Sequence, residues 1–231
     1  MELNELKEVI AGIPNLYEIF KRCPPELLIK WDLREYPADT IICRQGEKSD
    51  SLYIIISGYA DVYYMTEKGN KYSQAVIEKG QFVGEFEIFD QKPLICTVEA
   101  LTDLRLLHIK REHFLTWLKR DNNVCFYFAR YVCHQFYLFS EKASTDTLYP
   151  LKTRLCNYLL SSSKKWSKEA NDIKLWLNKE KLSEELAVTV RSIHRVLYTL
   201  KMKDIIEVKA NYIRIKDLNK LAQEAEDSRC E

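Results

Sequence analysis

The sequence has no run of about 18 apolar residues, so it offers no membrane-spanning helix. Its first residues, Met1-Glu2-Leu3-Asn4-Glu5-Leu6, are acidic and lack the basic stretch and apolar core of a secretory leader, so export is not expected. No Cys-x-x-Cys pair exists. The seven cysteines, Cys23, Cys43, Cys96, Cys125, Cys133, Cys156 and Cys230, are odd in number and scattered. Zinc or iron–sulfur ligation therefore has no local signature, and a cytoplasmic protein with reduced thiols is the expectation. A Gly-rich phosphate loop, a His-Glu-x-x-His helix and a Ser/His/Asp order are also missing, so nothing points to an enzyme; the paired Glu184-Glu185 reads as solvated surface. Internal repeats and low-complexity segments are absent too. What is present, 46% hydrophobic and 30% charged residues over a length of 231, suits a well-cored protein of two modest domains.

The net charge of +1 conceals an asymmetry. Residues 151–220 hold 16 Lys/Arg against 8 Asp/Glu, a balance of +8. Residues 1–150 hold 18 against 22 (−4), and residues 221–231 hold 1 against 4 (−3). A basic C-terminal module on an acidic partner suits attraction of one half to phosphate. The alternative is a solvated surface whose asymmetry is chance.

Three textures follow one another along the chain. Residues 1–31 look helical, broken at Cys23-Pro24-Pro25. From Leu33 to Ile109 short β-rich runs appear at 40–43, 52–56, 60–64, 72–77, 96–100 and 104–109. Turn signals such as Gln45-Gly46-Glu47, Ser57-Gly58, Lys68-Gly69-Asn70 and Lys79-Gly80 separate them, which predicts a β-barrel or sandwich. Residues 111–144 read as one or two helices. In the second, Cys125, Ala129, Val132, Phe136, Phe139 and Ala143 step by 4, 3, 4, 3 and 4, a heptad seam, while Phe128, Tyr131, Gln135 and Leu138 line an adjacent stripe. One stripe packs on the barrel and the other on a partner helix; a single broad core-facing helix is the alternative. Residues 145–150, ending in Pro150, interrupt the helix and look like a hinge, and a further helix over 151–163 enters the C-terminal domain.

The densest signal lies between Leu177 and Leu200. Leu182 and Leu186, then Ile193, Val196, Leu197 and Leu200, have helical spacing, with Ala187-Val188 between the sets and Thr189 as an N-cap. Two short helices at a sharp angle form a helix-turn-helix, the second presenting Val190, Arg191, His194 and Arg195 outward. Such a helix fits the DNA major groove with its N-terminal residues at the base edges. A hairpin of residues 204–208 and 212–215, joined by Lys209-Ala210-Asn211, forms a wing whose Lys209 is placed for phosphate.

Together these parts resemble the CRP/FNR (cAMP receptor protein / fumarate-nitrate regulator) family of bacterial transcription regulators over about residues 25–220. Ile42 to Gly58 follows the cyclic-nucleotide-binding signature, with Ser49 where the signature prefers Gly, Ala or Cys; Gly80-Gln81-Phe82-Val83-Gly84-Glu85-Phe86 looks like the start of the phosphate-binding cassette. The resemblance implies an α+β architecture: an N-terminal double-stranded β-roll (residues 1–110 with its helices), a dimerisation helix and hinge (111–147), and a C-terminal winged helix-turn-helix (148–231). It also implies a homodimer on double-stranded DNA, RNA polymerase as a partner, and activation as the favoured direction. The Thr189-Val190-Arg191-Ser192 pattern and the acidic cassette look closer to its YeiL-like branch.

The departures are informative. In nucleotide-binding members an Arg that neutralises the cyclic phosphate, then a Ser or Thr, follow the Gly-Glu pair. Those positions fall here on Leu94 and Ile95, in a loop one residue shorter that contains Lys92-Pro93. Leucine cannot compensate a buried phosphate, and an unpaired buried anion is prohibitive, so cAMP is not expected as a ligand unless Lys92 or Arg105 substitutes. Gly84 is read as a turn residue, and Glu85 as bonding backbone amides or a non-nucleotide effector. The expectation is therefore no cofactor and an unidentified effector near Gly84, Glu85, Leu94, Ile95 and Cys96. Only Cys23 lies where the oxygen-sensing branch clusters cysteines, and His108 and His113 read as surface or packing residues rather than haem ligands. On the recognition helix Arg195 keeps the family's base-reading Arg, whose bidentate partner is guanine, whereas Arg191 replaces an acidic reader; hence a half-site unlike those of familiar members. Arg191 as a solubilising residue and Arg195 as an internal ion-pair partner are the bland alternatives. Thr189, Ser192, Lys179 and Lys201 are phosphate candidates. A rival reading on the same fold is a thiol-based redox sensor switched through Cys96, Cys43, Cys125 or Cys133.

Overall fold

Alternating apolar residues punctuated by turns fold residues 32–110 into two antiparallel sheets, as the computed structural model shows; it describes residues 3–166, 173–176, 178–209 and 212–229. Three helices lead in: α1 (Leu3–Ala11), α2 (Pro14–Phe20) and α3 (Pro25–Leu28). The break at Pro24-Pro25 is present, and a second occurs at Gly12-Ile13 because Pro14 opens α2, where its missing N–H costs nothing.

The strands are β1 (Asp32–Tyr36), β2 (Ile41–Cys43), β3 (Ser51–Ser57), β4 (Ala60–Met65), β5 (Lys71–Ile77), β6 (Phe82–Val83), β7 (Thr97–Ala100) and β8 (Leu104–Lys110). One sheet has the order β1-β8-β3-β6 and the other β2-β7-β4-β5. Two strands escape the sequence pattern: β1 is mostly polar with no fully buried residue, and β6 is two residues long. Strand β3 is buried on both faces. Tyr53 and Ile55 join Val83, Leu94, Val98, Leu104 and Leu106 inside the roll. Leu52, Ile54 and Ile56 join the outer core of α1–α3, α5 (Arg111–Arg120) and the start of α6 (Asn122–Leu148), around Phe20, Trp31, Trp117 and Phe128. Each such buried aliphatic side chain contributes about 1.5–3 kcal/mol.

Helix α6 does not stop at Thr145. It runs through Thr145-Asp146-Thr147-Leu148, which corrects the expected interruption. Pro150 ends it instead, because a proline pushes the residue before it, Tyr149, out of the helical region. The chain packs as two compact units, Met1–Leu138 and Phe139–Glu231, divided within α6.

The second unit continues with α7 (Leu151–Trp166), β9 (Ile173–Trp176), α8 (Lys179–Glu185), α9 (Val190–Met202), β10 (Ile206–Val208), β11 (Tyr212–Ile215) and α10 (Leu218–Asp227). Its sheet, β10-β11-β9, and its helices close on Leu155, Leu159, Leu182, Ile193, Leu197, Leu200, Ile213 and Leu221. The hairpin is present, with its first strand starting at Ile206 because Asp204 turns the chain at φ 57°. Strand β9 and helix α10 add to what the pattern predicted. Among the described residues no helix is long and apolar enough to cross a membrane.

Candidate functional site

The helix-turn-helix is assembled by caps and one turn. Asn178 caps α8, its side-chain oxygen accepting from the amides of Glu180 (2.8 Å) and Lys181 (3.2 Å). Leu186 ends α8, and Ala187 turns the chain in the left-handed region at φ 53°. Thr189 caps α9: its Oγ1 accepts from the Ser192 amide at 3.2 Å and lies 3.1 Å from the Ser192 hydroxyl. Leu182, Leu186, Ile193, Leu197 and Leu200 are buried, so packing fixes which side of α9 is left to solvent.

That side carries Arg191, His194 and Arg195, all exposed, with Thr189 exposed just before them and Val190 and Ser192 half-buried at the edge. Among the described residues no carboxylate pairs with Arg191 or Arg195; both guanidiniums stand free of the internal ion pairs that occupy many other cations of this unit. Tyr198, 63% exposed, lies on the same face one turn further on. The sequence reading passed over it although its i+3 step from Arg195 was the available signal. Lys179 is half-buried at the start of α8 and Lys201 is exposed near the end of α9. On the wing, exposed Lys209 pairs at 2.6 Å with Glu207, which holds its ammonium above the usual lysine range. A phosphate must compete with that carboxylate. Ala210 and Asn211 of the predicted wing tip, Leu177 at the head of the motif, and Cys230 lie outside the described residues.

In the roll, Gly84 has φ 84°, and a Cβ there would stand 2.7 Å from the Ser51 carbonyl, so this turn requires glycine. Glu85 follows, half-buried. Burial pushes its carboxyl up to about 8, the Glu87 carboxylate adding to the effect and a hydrogen bond to its own amide opposing it. Glu87 opens the short helix α4 (Glu87–Asp90) and is only 7% exposed, yet its Oε1 accepts the Ile95 amide at 3.1 Å. Leu94 is buried in the roll's core and Ile95 is exposed. Lys92 reaches outward to Asp90 (3.5 Å), and Arg105 pairs with Glu35 (3.2 Å). The loop thus places an apolar side chain at Leu94, and a buried carboxylate already occupies the Ile95 amide.

The roll's two thiols, Cys43 and Cys96, are held protonated. Burial pushes Cys96 up to about 11 and Cys43 up to about 12, with Glu87 and Glu85 contributing to both; Cys96 donates weakly to Gln74 Oε1 at 3.4 Å. His108 is buried, with Nδ1 2.6 Å from Asp32 Oδ1 and Nε2 3.0 Å from the Ser51 hydroxyl, so it ties three strands together. Among the described residues no group of three His, Cys, Asp or Glu side chains is arranged to hold a metal ion.

The two stripes of α6 differ in burial only toward its N-terminal half; Leu138, on the stripe expected to face the roll, is 43% exposed, and Gln135 and Ala143, one from each stripe, are both half-buried. Phe128 and Tyr131 face the roll: Phe128 packs on Phe82, Phe89 and Phe114, and the Tyr131 hydroxyl accepts the Phe82 amide at 3.0 Å. Cys125, Ala129, Phe136 and Phe139 are exposed, Phe136 to 67%, while Val132 is half-buried and also touches the outer core.

Residues 33–121 match the family model of a cyclic nucleotide-binding domain, and residues 153–224 that of a Crp-like helix-turn-helix domain. The anaerobic regulatory protein of Bacillus subtilis is 24% identical over 179 residues, 76% of this chain and 75% of the relative. The cAMP-activated global transcriptional regulator CRP of Salmonella typhimurium is 19% identical over 177 residues, 75% of this chain and 84% of the relative. Among solved structures, a CRP/FNR-family transcriptional regulator from Eubacterium rectale superposes with a TM-score of 0.76 at 16% identity, over 90% of this chain and 97% of the other. The c-di-GMP-responsive global regulator CLP of Xanthomonas campestris gives 0.73 at 20% identity, over 82% and 95%.

Proposed function

Because the chain belongs to the CRP/FNR family of DNA-binding transcription regulators, we propose that it acts as a homodimer whose two α9 helices read a pseudo-palindromic operator. The observation that carries this reading is the face of α9: Arg191, His194 and Arg195 exposed side by side, the two arginines without an internal carboxylate partner among the described residues. Arg195 is assigned to a guanine by bidentate hydrogen bonding, Arg191 to a second guanine or a phosphate. Thr189, Val190 and Ser192 with Lys179 and Lys209 line the flanking backbone. The exposed seam Cys125, Ala129, Phe136 and Phe139, edged by Val132, supplies the two-fold, which sets the half-sites about one helical turn, roughly 34 Å, apart. Activation through RNA polymerase, and residence in the cytoplasm, follow by analogy with the family.

The roll is read as an effector domain that does not take cAMP. Leu94 in place of a cation and the buried Glu87 carboxylate on the Ile95 amide both oppose a bound phosphate. Titration calorimetry with cAMP and cGMP is expected to give no saturable heat at micromolar concentrations; saturable binding there overturns this part.

The decisive experiment is a selection of genomic fragments by reduced, ligand-free protein at fixed moderate salt. One enriched pseudo-palindrome with half-sites a turn apart is the expected outcome. Weak, salt-sensitive and sequence-blind binding under reducing and oxidising conditions alike, with the roll's ligands screened, counts against it. Thiol control is the second reading. It is favoured by the exposure of Cys125 and Cys133 on α6, and not by Cys43 or Cys96, whose burial disfavours the thiolate. Free-thiol counts before and after mild oxidant, read against operator affinity, decide it.

A further inference from the structure

The C-terminal turns of α6 are tied to the helix-turn-helix by three charged side chains that lie outside the DNA-facing surface. Asp146 sits between two cations. Lys142 Nζ lies 3.0 Å from its Oδ2, one turn back on the same helix, and Arg154 Nη1 lies 3.2 Å from its Oδ1, in the first turn of α7. Both cations reach further. Lys142 Nζ donates to the Glu185 carbonyl at 3.3 Å, and Arg154 Nη1 donates to the Leu186 carbonyl at 2.9 Å. These carbonyls belong to the end of α8, where a helix leaves its last acceptors without internal partners. The three side chains are 31% (Lys142), 17% (Asp146) and 11% (Arg154) exposed, so water screens them far less than it screens surface pairs.

Ala187, Val188 and Thr189 alone separate the held Leu186 carbonyl from the first turn of α9. The end of α8 therefore sets where α9 begins, and the Lys142–Asp146–Arg154 group sets where α8 ends relative to the last turns of α6. We infer that Lys142, Asp146 and Arg154 are positioning residues for DNA reading: together they fix the angle at which the end of α6 presents the recognition helix. This inference rests on the dimeric reading given above. In a dimer each copy of α9 must meet its half-site at one separation, so a rigid joint appears as intolerance of operators whose half-sites are moved apart. Without a hydrogen-bonded joint the module swings, and the operator with the correct spacing loses the advantage of preorganisation.

The test uses Asp146→Asn in the full chain, which keeps the shape of the side chain while removing the charge that holds both cations. The probes are the pseudo-palindromic duplex recovered by selection and two versions with one base pair inserted or removed at its centre, at one salt concentration, together with a scrambled duplex. The expected result is a 3–10-fold loss on the correct spacing and a discrimination between spacings that falls toward parity. The dimer's mass by light scattering and its affinity for scrambled DNA are expected to be unchanged, which a merely destabilised domain would not give. Lys142→Gln, which releases one arm and leaves the Asp146–Arg154 pair, is expected to act in the same direction by 2–3-fold, and it keeps the test alive should Asp146→Asn fold poorly. Folded, dimeric variants that retain both the affinity and the discrimination of the parent overturn the joint alone. A parent protein that binds as a monomer with no preference for spacing overturns the dimeric reading and the joint with it.

Discussion

On α9, Arg191, His194 and Arg195 stand in solvent, and among the described residues neither arginine has a carboxylate beside it. In the loop between β6 and β7, Glu87 is buried, Glu85 and Cys96 are half-buried, and Leu94 stands where the family resemblance implies a cation. On the proposed reading the first region leaves its charge uncompensated for a partner of opposite sign, and exposure keeps that charge inexpensive until the partner binds. The second compensates internally: Glu85 by holding its proton, Glu87 by accepting a backbone amide. On the proposed reading, the family pattern persists at one end of the chain while the ligand chemistry of the other end has changed. Only side-chain chemistry, not fold, separates the two cases.

The largest expected effect comes from removing what lets both arginine faces act at once. Phe136→Glu places a charge at an apolar side chain of the α6 seam that is 67% exposed, and it is cleaner than a change at Val132, which also touches the outer core. It is expected to give monomers by light scattering, with operator affinity reduced by at least about 10³ because the second half-site becomes a separate binding event. Persistent dimers would place the two-fold elsewhere. Next in size is Arg195→Ala, expected to cost about 1–3 kcal/mol per half-site, roughly 5- to 150-fold, with the fold and the affinity for scrambled DNA nearly intact. Unchanged operator affinity would remove Arg195 from base reading and leave the contrast with the roll resting on Arg191 and His194.

Much of both regions was legible in the sequence, for identifiable reasons. The α9 face is a 3.6-residue periodicity bounded by a Thr cap, so Arg191, His194 and Arg195 could be placed without coordinates. The other six strands of the roll carried turn signals on their flanks, whereas β1 was too polar and β6 too short to register. The run of α6 through Asp146 was missed because Thr and Asp weaken a helix locally, while the contacts of Asp146 with Lys142 and Arg154 are tertiary and leave no periodic trace. The role of Glu87 was equally hidden. A second carboxylate two residues after Glu85 reads as surface until the Ile95 amide is found against it.

A smaller effect sharpens the roll's side of the comparison through pH. The carboxyl of Glu85 has an ordinary value of 4.5 and is raised to about 8 in the folded protein, so the native state holds a proton that the unfolded chain releases. Stability from this group is fully present below about 4.5, declines as pH rises, and is lost once pH passes about 8. Glu85→Gln is isosteric and does not titrate. It is expected to flatten that decline and to exceed the parent by about 2 kcal/mol at pH 9, a figure already discounted for partial exposure. Urea midpoints at pH 5.5 and 8.5 measure it, and parallel curves for the two proteins would mean that Glu85 is solvated and ionised like any surface carboxylate.

The smallest effect separates folding from reading at the start of α9. Thr189 accepts the Ser192 amide and stands exposed beside the DNA-facing side chains, so one hydroxyl can serve as a cap and as a neighbour of phosphate. Thr189→Ala removes both functions and is expected to cost about 1 kcal/mol of stability. Thr189→Asp keeps the cap and repels phosphate, so it distinguishes them: near-parental stability is expected together with a severalfold loss of operator affinity that grows as salt is lowered. Asn178, which caps α8 in the same way, serves as the control, because Asn178→Asp introduces the same charge one helix earlier. If both aspartate variants weaken binding equally, the loss reports the module's overall charge and Thr189 is a cap alone. A larger loss at position 189 locates the phosphate at the N-terminus of the recognition helix.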